Sequence, residues 1–274
     1  MKAFLAHHFD TPSQQFEAGK LGIWLFLATE VLFFSGLFCA YAVIRASHPE
    51  IFYYAHYFLD LRLGALNTCV LLVSSLSAAL AVRYAQLAQR RGLIISVAIT
   101  LCCALSFLAV KYVEYAHKFE SGLLPGVHFN PEQQLWEVPA FRRQHPAAAA
   151  LAEKLRQRAT QPDTQPMPSE LSRPNREALE PLFRAGVLGP RAEDPNLPSR
   201  PNNAHVFFSL YFFMTGLHGV HVLGGIAVWL WILVRAVRSE FGPSYFGPVD
   251  GAALYWHLVD LIWIYLFPLL YLIH

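Results

Sequence analysis

The chain has 274 residues, 55% of them hydrophobic and only 15% charged. Soluble domains usually carry about 25% charged residues, so the composition argues against an ordinary soluble enzyme. The formal net charge is +2 with no basic stripe, which speaks against a nucleic-acid surface.

Residues 1–20 are polar and lack a cleavable apolar core, so no signal peptide is expected. The first long apolar run, near 22–44, is therefore expected to act as its own insertion signal. Further runs fall near 64–85, 94–116, 206–234 and 252–273. About 20 apolar residues suffice to cross a bilayer as a helix, and the runs lack the alternation of a barrel strand. The sequence predicts an all-α polytopic membrane protein, with five transmembrane helices in a bundle. Expected boundaries are a tail over 1–20, three spans over 21–117, a long insert over 118–204 and two spans over 205–274.

The first run carries Glu30 near its middle. A carboxylate at that depth costs at least a few kcal/mol if ionised. Burial favours the neutral form, so Glu30 is expected mostly protonated and is the best candidate for a proton path. Cys39, Cys69, Cys102 and Cys103 lie inside the predicted helices and form no C-x-x-C. They read as small apolar packing residues.

Positive charge sets the expected orientation. Lys2, Lys20, Arg83, Arg90, Arg91, Arg235 and Arg238 would share one side, against Arg45 and Arg62 in the short loop 45–63. The N-terminus is thus predicted cytoplasmic and the C-terminus, at His274, periplasmic. The external insert holds 13 of the 18 prolines, with 11 Lys/Arg against 10 Asp/Glu. HPAAAALAEKLRQRATQ reads as a short helix begun near Pro146 and ended before Pro162. The rest reads as extended, proline-punctuated chain with too little apolar content for its own core, draped over a neighbour. No internal repeat of the transporter kind is visible.

The remaining ionisable residues within the spans are the informative ones. Lys111 and Glu114 lie near the external end of the third span. His218 and His221 are three apart on the fourth, as are His257 and Asp260 on the fifth. Three readings compete: ligation of haem or metal, a proton or ion path, and helix cohesion with lipid binding. His218 and His221 cannot take opposite axial faces of one haem. A mixed site of histidine with Glu30 is conceivable, but no ligand motif is present. Cohesion is the default for every residue except Glu30. His257 with Asp260 suits an interhelical hydrogen bond, and Arg235 suits a phosphate near the cytoplasmic surface. Gly216, Gly219, Gly224 and Gly225 would let a neighbouring helix approach closely.

Five strings occur in an order that resembles subunit III of haem-copper terminal oxidases, most closely cytochrome c oxidase. They are TEVLFFSGLFCAY around Glu30, LNTCVLLVSS at 66–75, KYVEYAHKF at 111–119, TGLHGVHVLGG at 215–225 and YWHLVDLIWIYLFPLLY at 255–271. The resemblance covers essentially the whole membrane part. It implies an accessory subunit without a redox centre of its own, packed on a subunit I that holds haem and copper. It also implies bound structural phospholipids, support of proton uptake and a bacterial inner-membrane location. Glu30 matches the family's carbodiimide-reactive glutamate, and Arg235 its lipid-phosphate arginine. Glu114, His218, His221, His257 and Asp260 match motif positions with structural assignments. No catalytic residue and no metal ligand is implied.

The chain also departs from the family. The first two helices of the seven-helix mitochondrial form have no counterpart. Lys111 stands where the family usually has Gln. The insert 118–204 is absent from the compact form, and its expected external position would let it contact subunit II, a cytochrome c domain or a supercomplex partner. Subunit III of a quinol oxidase, or the accessory protein of nitric oxide reductase, is the neighbouring alternative. A stand-alone proton-coupled transporter or membrane metalloenzyme is the alternative of another class.

Overall fold

The structure, a computed structural model, describes residues 9–159, 177–188 and 200–273. Lys2, His274 and the stretches 160–176 and 189–199 lie outside the described residues, so the extended chain expected in those stretches is not addressed. The chain is all-α. No strand occurs among the described residues, only isolated bridges between Leu123 and Phe129 and between Gly242 and Tyr245.

Among the described residues, five helices are long and apolar enough to cross a membrane. They are α1 (Pro12–Ser47), α3 (Leu61–Gln86), α4 (Arg90–Glu120), α8 (Ala204–Val237) and α9 (Gly247–Tyr271). Shorter helices are α2 (Pro49–Ala55), α5 (Pro139–Gln144), α6 (Pro146–Ala159) and α7 (Glu180–Arg184), with 3-10 turns at His56–Phe58, Gly126–His128 and Leu135–Glu137.

α1 begins ten residues before the apolar run, and its start has a local cause. Thr11 is the N-cap: its Oγ1 accepts the Gln14 N–H at 3.1 Å. Pro12 follows at the first helical position, where a missing N–H costs nothing. The last span ends at Tyr271, two residues short of the apolar run.

The insert differs from expectation. Pro139, Pro146 and Pro181 stand in the first turns of α5, α6 and α7, as Pro49 does in α2 outside the insert. Proline there preorganises a helix start instead of prolonging extended chain. The loop 45–63 likewise contains α2 and a 3-10 turn. α6 begins at Pro146 as expected. Leu123, Leu135, Trp136, Phe141, Ala152, Leu182 and Leu188 of the insert are buried within this chain. Gly122 turns the chain after α4 with φ +70°, where a Cβ would meet the Asn130 carbonyl oxygen.

The chain divides into two compact units. The first comprises the described part of Met1–Cys39 with Arg62–Val113 and Met214–Pro268. Its core holds Leu71, Ala78, Val97, Phe107, Trp229, Trp256 and Trp263. Serine and threonine satisfy two of these indoles: Trp256 Nε1 donates to Ser74 Oγ at 2.9 Å and Trp263 Nε1 to Thr68 Oγ1 at 3.1 Å. Gly225 brings two helices together, since a Cβ there would lie 2.3 Å from Trp256 Cζ3. Gly219 faces open space, so the expected close approach does not extend to it.

The second unit comprises Ala40–Leu61, Glu114–Phe213 and the described part of Leu269–His274. Tyr41, Phe52 and Phe207 form an edge-to-face series with centroids 5.1 and 5.3 Å apart. Tyr41 OH donates to the Leu269 carbonyl, one of the carbonyls that the end of α9 leaves without an intrahelical donor. The four cysteines are free. Cys39, Cys69 and Cys102 are exposed on this chain and not packed as expected. An apolar thiol suits a lipid-facing position as well as a core.

Candidate functional site

Glu30 on α1 and His221 on α8 meet within the first unit. Glu30 Oε2 lies 2.9 Å from His221 Nε2, and the two side chains are 18% and 16% exposed. The other ring nitrogen, Nδ1, is 2.9 Å from the Leu217 carbonyl oxygen. A carbonyl oxygen only accepts, so Nδ1 carries a proton. In the two arrangements without net charge, a single proton lies between Nε2 and Oε2. Either the carboxylic acid donates to the imidazole or the imidazolium donates to the carboxylate. Phe34 packs edge-on to the ring at 5.1 Å, and Tyr255 OH donates to the His221 carbonyl at 2.9 Å. The arrangement can hold, and exchange, one proton inside a membrane span.

The other expected residues do not form one network. His218 is fully buried between Phe107 and Trp263, with centroids 5.5 and 5.4 Å away. Neither of its ring nitrogens makes a hydrogen bond within the described residues. Although three residues apart, His218 and His221 thus turn to different neighbours. His257 shares a 2.7 Å hydrogen bond with Ser75 Oγ, not with Asp260. Asp260 is buried, and neither of its carboxyl oxygens makes a hydrogen bond of ordinary geometry. Lys111 is buried with its Nζ 4.9 Å from the Trp263 ring. Among the described residues no three His, Cys, Asp or Glu side chains converge as metal ligands would.

Glu114 anchors a separate cluster in the second unit. Its Oε1 accepts from Lys118 Nζ at 3.0 Å, Tyr211 OH at 2.8 Å and Tyr271 OH at 2.6 Å. All four residues are nearly inaccessible. A buried lysine–carboxylate pair is tolerated when further hydrogen bonds satisfy it, and here two phenols do so. Glu114 stands out in the sequence as a charge within a span, whereas neither tyrosine does. The i,i+4 spacing to Lys118 was the available signal.

Arg235 is held by its own surroundings. Nε donates to Glu240 Oε2 at 2.6 Å and Nη1 donates to Tyr245 OH at 3.2 Å. Its guanidinium lies 4.8 Å from the Trp231 ring, 5.2 Å from Phe241 and 5.3 Å from Tyr245. Nη2 makes no hydrogen bond within the described residues.

Residues 202–274, which contain His218, His221, Arg235, His257 and Asp260, match the family model described as cytochrome c oxidase subunit III. A Mycobacterium tuberculosis protein named "Probable cytochrome c oxidase subunit 3" is 37% identical over 89 residues, 32% of this chain and 44% of that one. Over these residues the chain is similar to cytochrome c oxidase subunit III. The Gallus gallus protein named "Cytochrome c oxidase subunit 3" is 38% identical over 66 residues, 24% of this chain and 25% of its own length. A Nocardia farcinica relative is 34% identical over 71 residues, 26% of this chain and 35% of that one. The chain spans 44% of the length of the Mycobacterium bovis and Mycobacterium tuberculosis relatives it matches. His221 stands inside the matched segment, and Glu30 reaches it from outside that segment.

Proposed function

We propose that this chain is the accessory, non-redox subunit III of a terminal cytochrome c oxidase, which reduces O2 to water and pumps protons. The observation that carries this reading is the 2.9 Å contact between Glu30 and His221, made by the span that bears the family-like glutamate and a span matched to the subunit III family. The chain itself has no catalytic residue. Haem and copper belong to partner subunits, and the main contact is with subunit I. The insert 118–204 faces subunit II, a cytochrome c domain or a supercomplex partner.

Glu30, paired with His221, supports proton uptake. Phospholipids fill the contacts between spans, and the Nη2 edge of Arg235 is offered to a lipid phosphate. The protein sits in the bacterial inner membrane with its N-terminus cytoplasmic and C-terminus periplasmic.

Purification in mild detergent, followed by mass spectrometry of partners and lipids, tests the assignment. A haem-copper subunit I and a copper-bearing subunit II should co-purify, with the haem spectrum of a cytochrome c oxidase. A chain recovered alone with bound metal or transport activity would overturn it. A hydrophobic carbodiimide should label Glu30, and Glu30→Gln should abolish the label. Labelling that persists elsewhere would reject the role given to Glu30.

A further inference from the structure

In the first unit, a short and well-fixed turn joins the end of α3 to the start of α4. Gln89 N–H donates to the Tyr84 carbonyl at 2.9 Å, and Ala88 N–H to the Ala85 carbonyl at 3.2 Å. Ala88 has φ +55°, a left-handed conformation uncommon for a residue with a side chain. The Tyr84 ring lies directly on Gly92, where a Cβ would come 2.6 Å from Tyr84 Cδ1. Beside this turn is a cleft of about 610 Å³, lined by Gln89, Arg90, Arg91, Gly92 and Ile94.

The cleft is positively charged. Arg90 Nη2 donates to the carbonyl of Val237, the last residue of α8, which fastens its guanidinium in place. The Arg91 side chain makes no hydrogen bond or ion pair within the described residues. The first turn of a helix leaves its N–H groups without intrahelical acceptors. Those of Arg91 and Gly92 belong to residues that line the cleft. No nearby carboxylate in the sequence offsets the charge, since residues 61–113 contain no Asp or Glu. Elsewhere in the unit, Glu240 accepts from Arg235, Asp250 lies 3.7 Å from Lys20 and Glu17 accepts from Ser13 Oγ at 3.2 Å.

We propose that this cleft binds the phosphodiester of an anionic phospholipid, at a site distinct from Arg235. Two guanidiniums and two helix N–H groups supply donors suited to phosphate oxygens. A lipid is the fitting source because apolar chain begins at once: LIISVAIT follows Gly92 in the spanning helix. Ile94 lines the cleft and Ile95 is 59% exposed, so acyl chains would meet apolar side chains where the phosphate meets arginine. A zwitterionic headgroup would bring its ammonium to a turn that has no carboxylate, which favours the anionic class. Arginines at the end of a span also set orientation by charge alone. That role requires neither a cleft nor a guanidinium tied to a neighbouring helix. The inference needs only that these helices span a bilayer, and it does not rest on the oxidase reading.

Native mass spectrometry of the full chain in mild detergent, titrated with phosphatidylglycerol or phosphatidylcholine, tests the site. The wild-type chain should bind phosphatidylglycerol several-fold more tightly. Arg90→Gln combined with Arg91→Gln should remove most of that preference. Arg91→Gln alone, which leaves the Arg90–Val237 contact intact, should lower it. Arg83→Gln removes one charge from the end of α3 outside the cleft, and Arg235→Gln removes the other phosphate ligand. Each should leave most of the preference in place. The proposal is overturned by equal affinity for the two lipids or by a preference that survives the double variant. A loss in Arg83→Gln or Arg235→Gln as large as that in Arg91→Gln would also overturn it. Excess inorganic phosphate should compete only weakly. If it displaced phosphatidylglycerol completely, the cleft would be a site for free phosphate and the lipid assignment would fall.

Discussion

Glu30 Oε2 and His221 Nε2 are 2.9 Å apart, while His221 Nδ1 is fixed by the Leu217 carbonyl. This relationship makes the intramembrane glutamate one half of a pair with a defined proton. Its partner stands 191 residues away in sequence.

Glu30→Gln should be mild, because the amide N–H can donate to Nε2 and leave Nδ1 undisturbed. A loss of about 1 kcal/mol or less is expected, within the range of one net hydrogen bond. His221→Leu strands the partly buried carboxyl and should cost more, about 1–3 kcal/mol. Thermal unfolding of both variants in the same lipid and detergent measures the difference. If His221→Leu proved no less stable than Glu30→Gln, the pairing argument would fail.

The Glu114 cluster should be far less tolerant. Glu114→Gln leaves Lys118 buried without its counter-charge, and losing one partner of a buried pair costs about 3–5 kcal/mol. Replacing both, as Glu114→Gln with Lys118→Met, should recover much of that loss. Denaturation of the single and double variants forms a double-mutant cycle. Additive effects would show that the pair is not coupled.

Gly225 should be sensitive and Gly219 indifferent. A Cβ at 225 would sit 2.3 Å from Trp256 Cζ3, whereas one at 219 meets nothing within 4 Å. Overpacking of this kind costs about 1–3 kcal/mol, and an unobstructed change stays within about 0.5 kcal/mol. Melting curves of Gly225→Ala and Gly219→Ala should separate accordingly. Equal shifts would refute the packing account.

Tyr54 lies in α2, outside the spans, and is 1% exposed. Burial pushes its phenol up to about 12, with Arg200 pulling weakly the other way. A raised folded value means that the contribution to stability is complete below about pH 10, the ordinary phenol value. It is lost as pH rises from there toward about 12. Absorbance titration of phenolate in the wild type and in Tyr54→Phe should show one late-ionising tyrosine missing from the variant. Identical curves would contradict the burial argument.

The spans were legible because an apolar run of bilayer length rarely arises in a soluble fold, and Glu30 was legible because it interrupts one. Its partner was not. Nothing in TGLHGVH says whether His218 or His221 turns toward α1, and the structure divides them between a proton-sharing contact and an aromatic slot. Tyr211 and Tyr271 were invisible for the same reason: each looks like one more aromatic in an aromatic helix until both phenols reach Glu114. Arg235 could have been read further, since Glu240 and Tyr245 follow it closely in sequence. In the insert the proline count misled. Proline ends a helix when it stands inside one and starts a helix when it stands in the first turn, and composition alone does not distinguish the two positions.

The length of α1 has a consequence for the lipid around it. Its 36 residues extend about 54 Å at about 1.5 Å per residue, while a bilayer's hydrocarbon core is about 30 Å thick. Even at about 40°, the upper end of the usual tilt range, the helix would cover about 41 Å along the membrane normal. At least a turn or two must therefore project beyond the acyl chains, whatever the inclination. The polar stretch from Pro12 to Lys20 suits the headgroup layer at one end, where Lys20 lies 3.7 Å from Asp250. A bilayer thickened by longer acyl chains should therefore be accommodated by α1 with less strain than by the 25-residue α9, which has little length to spare.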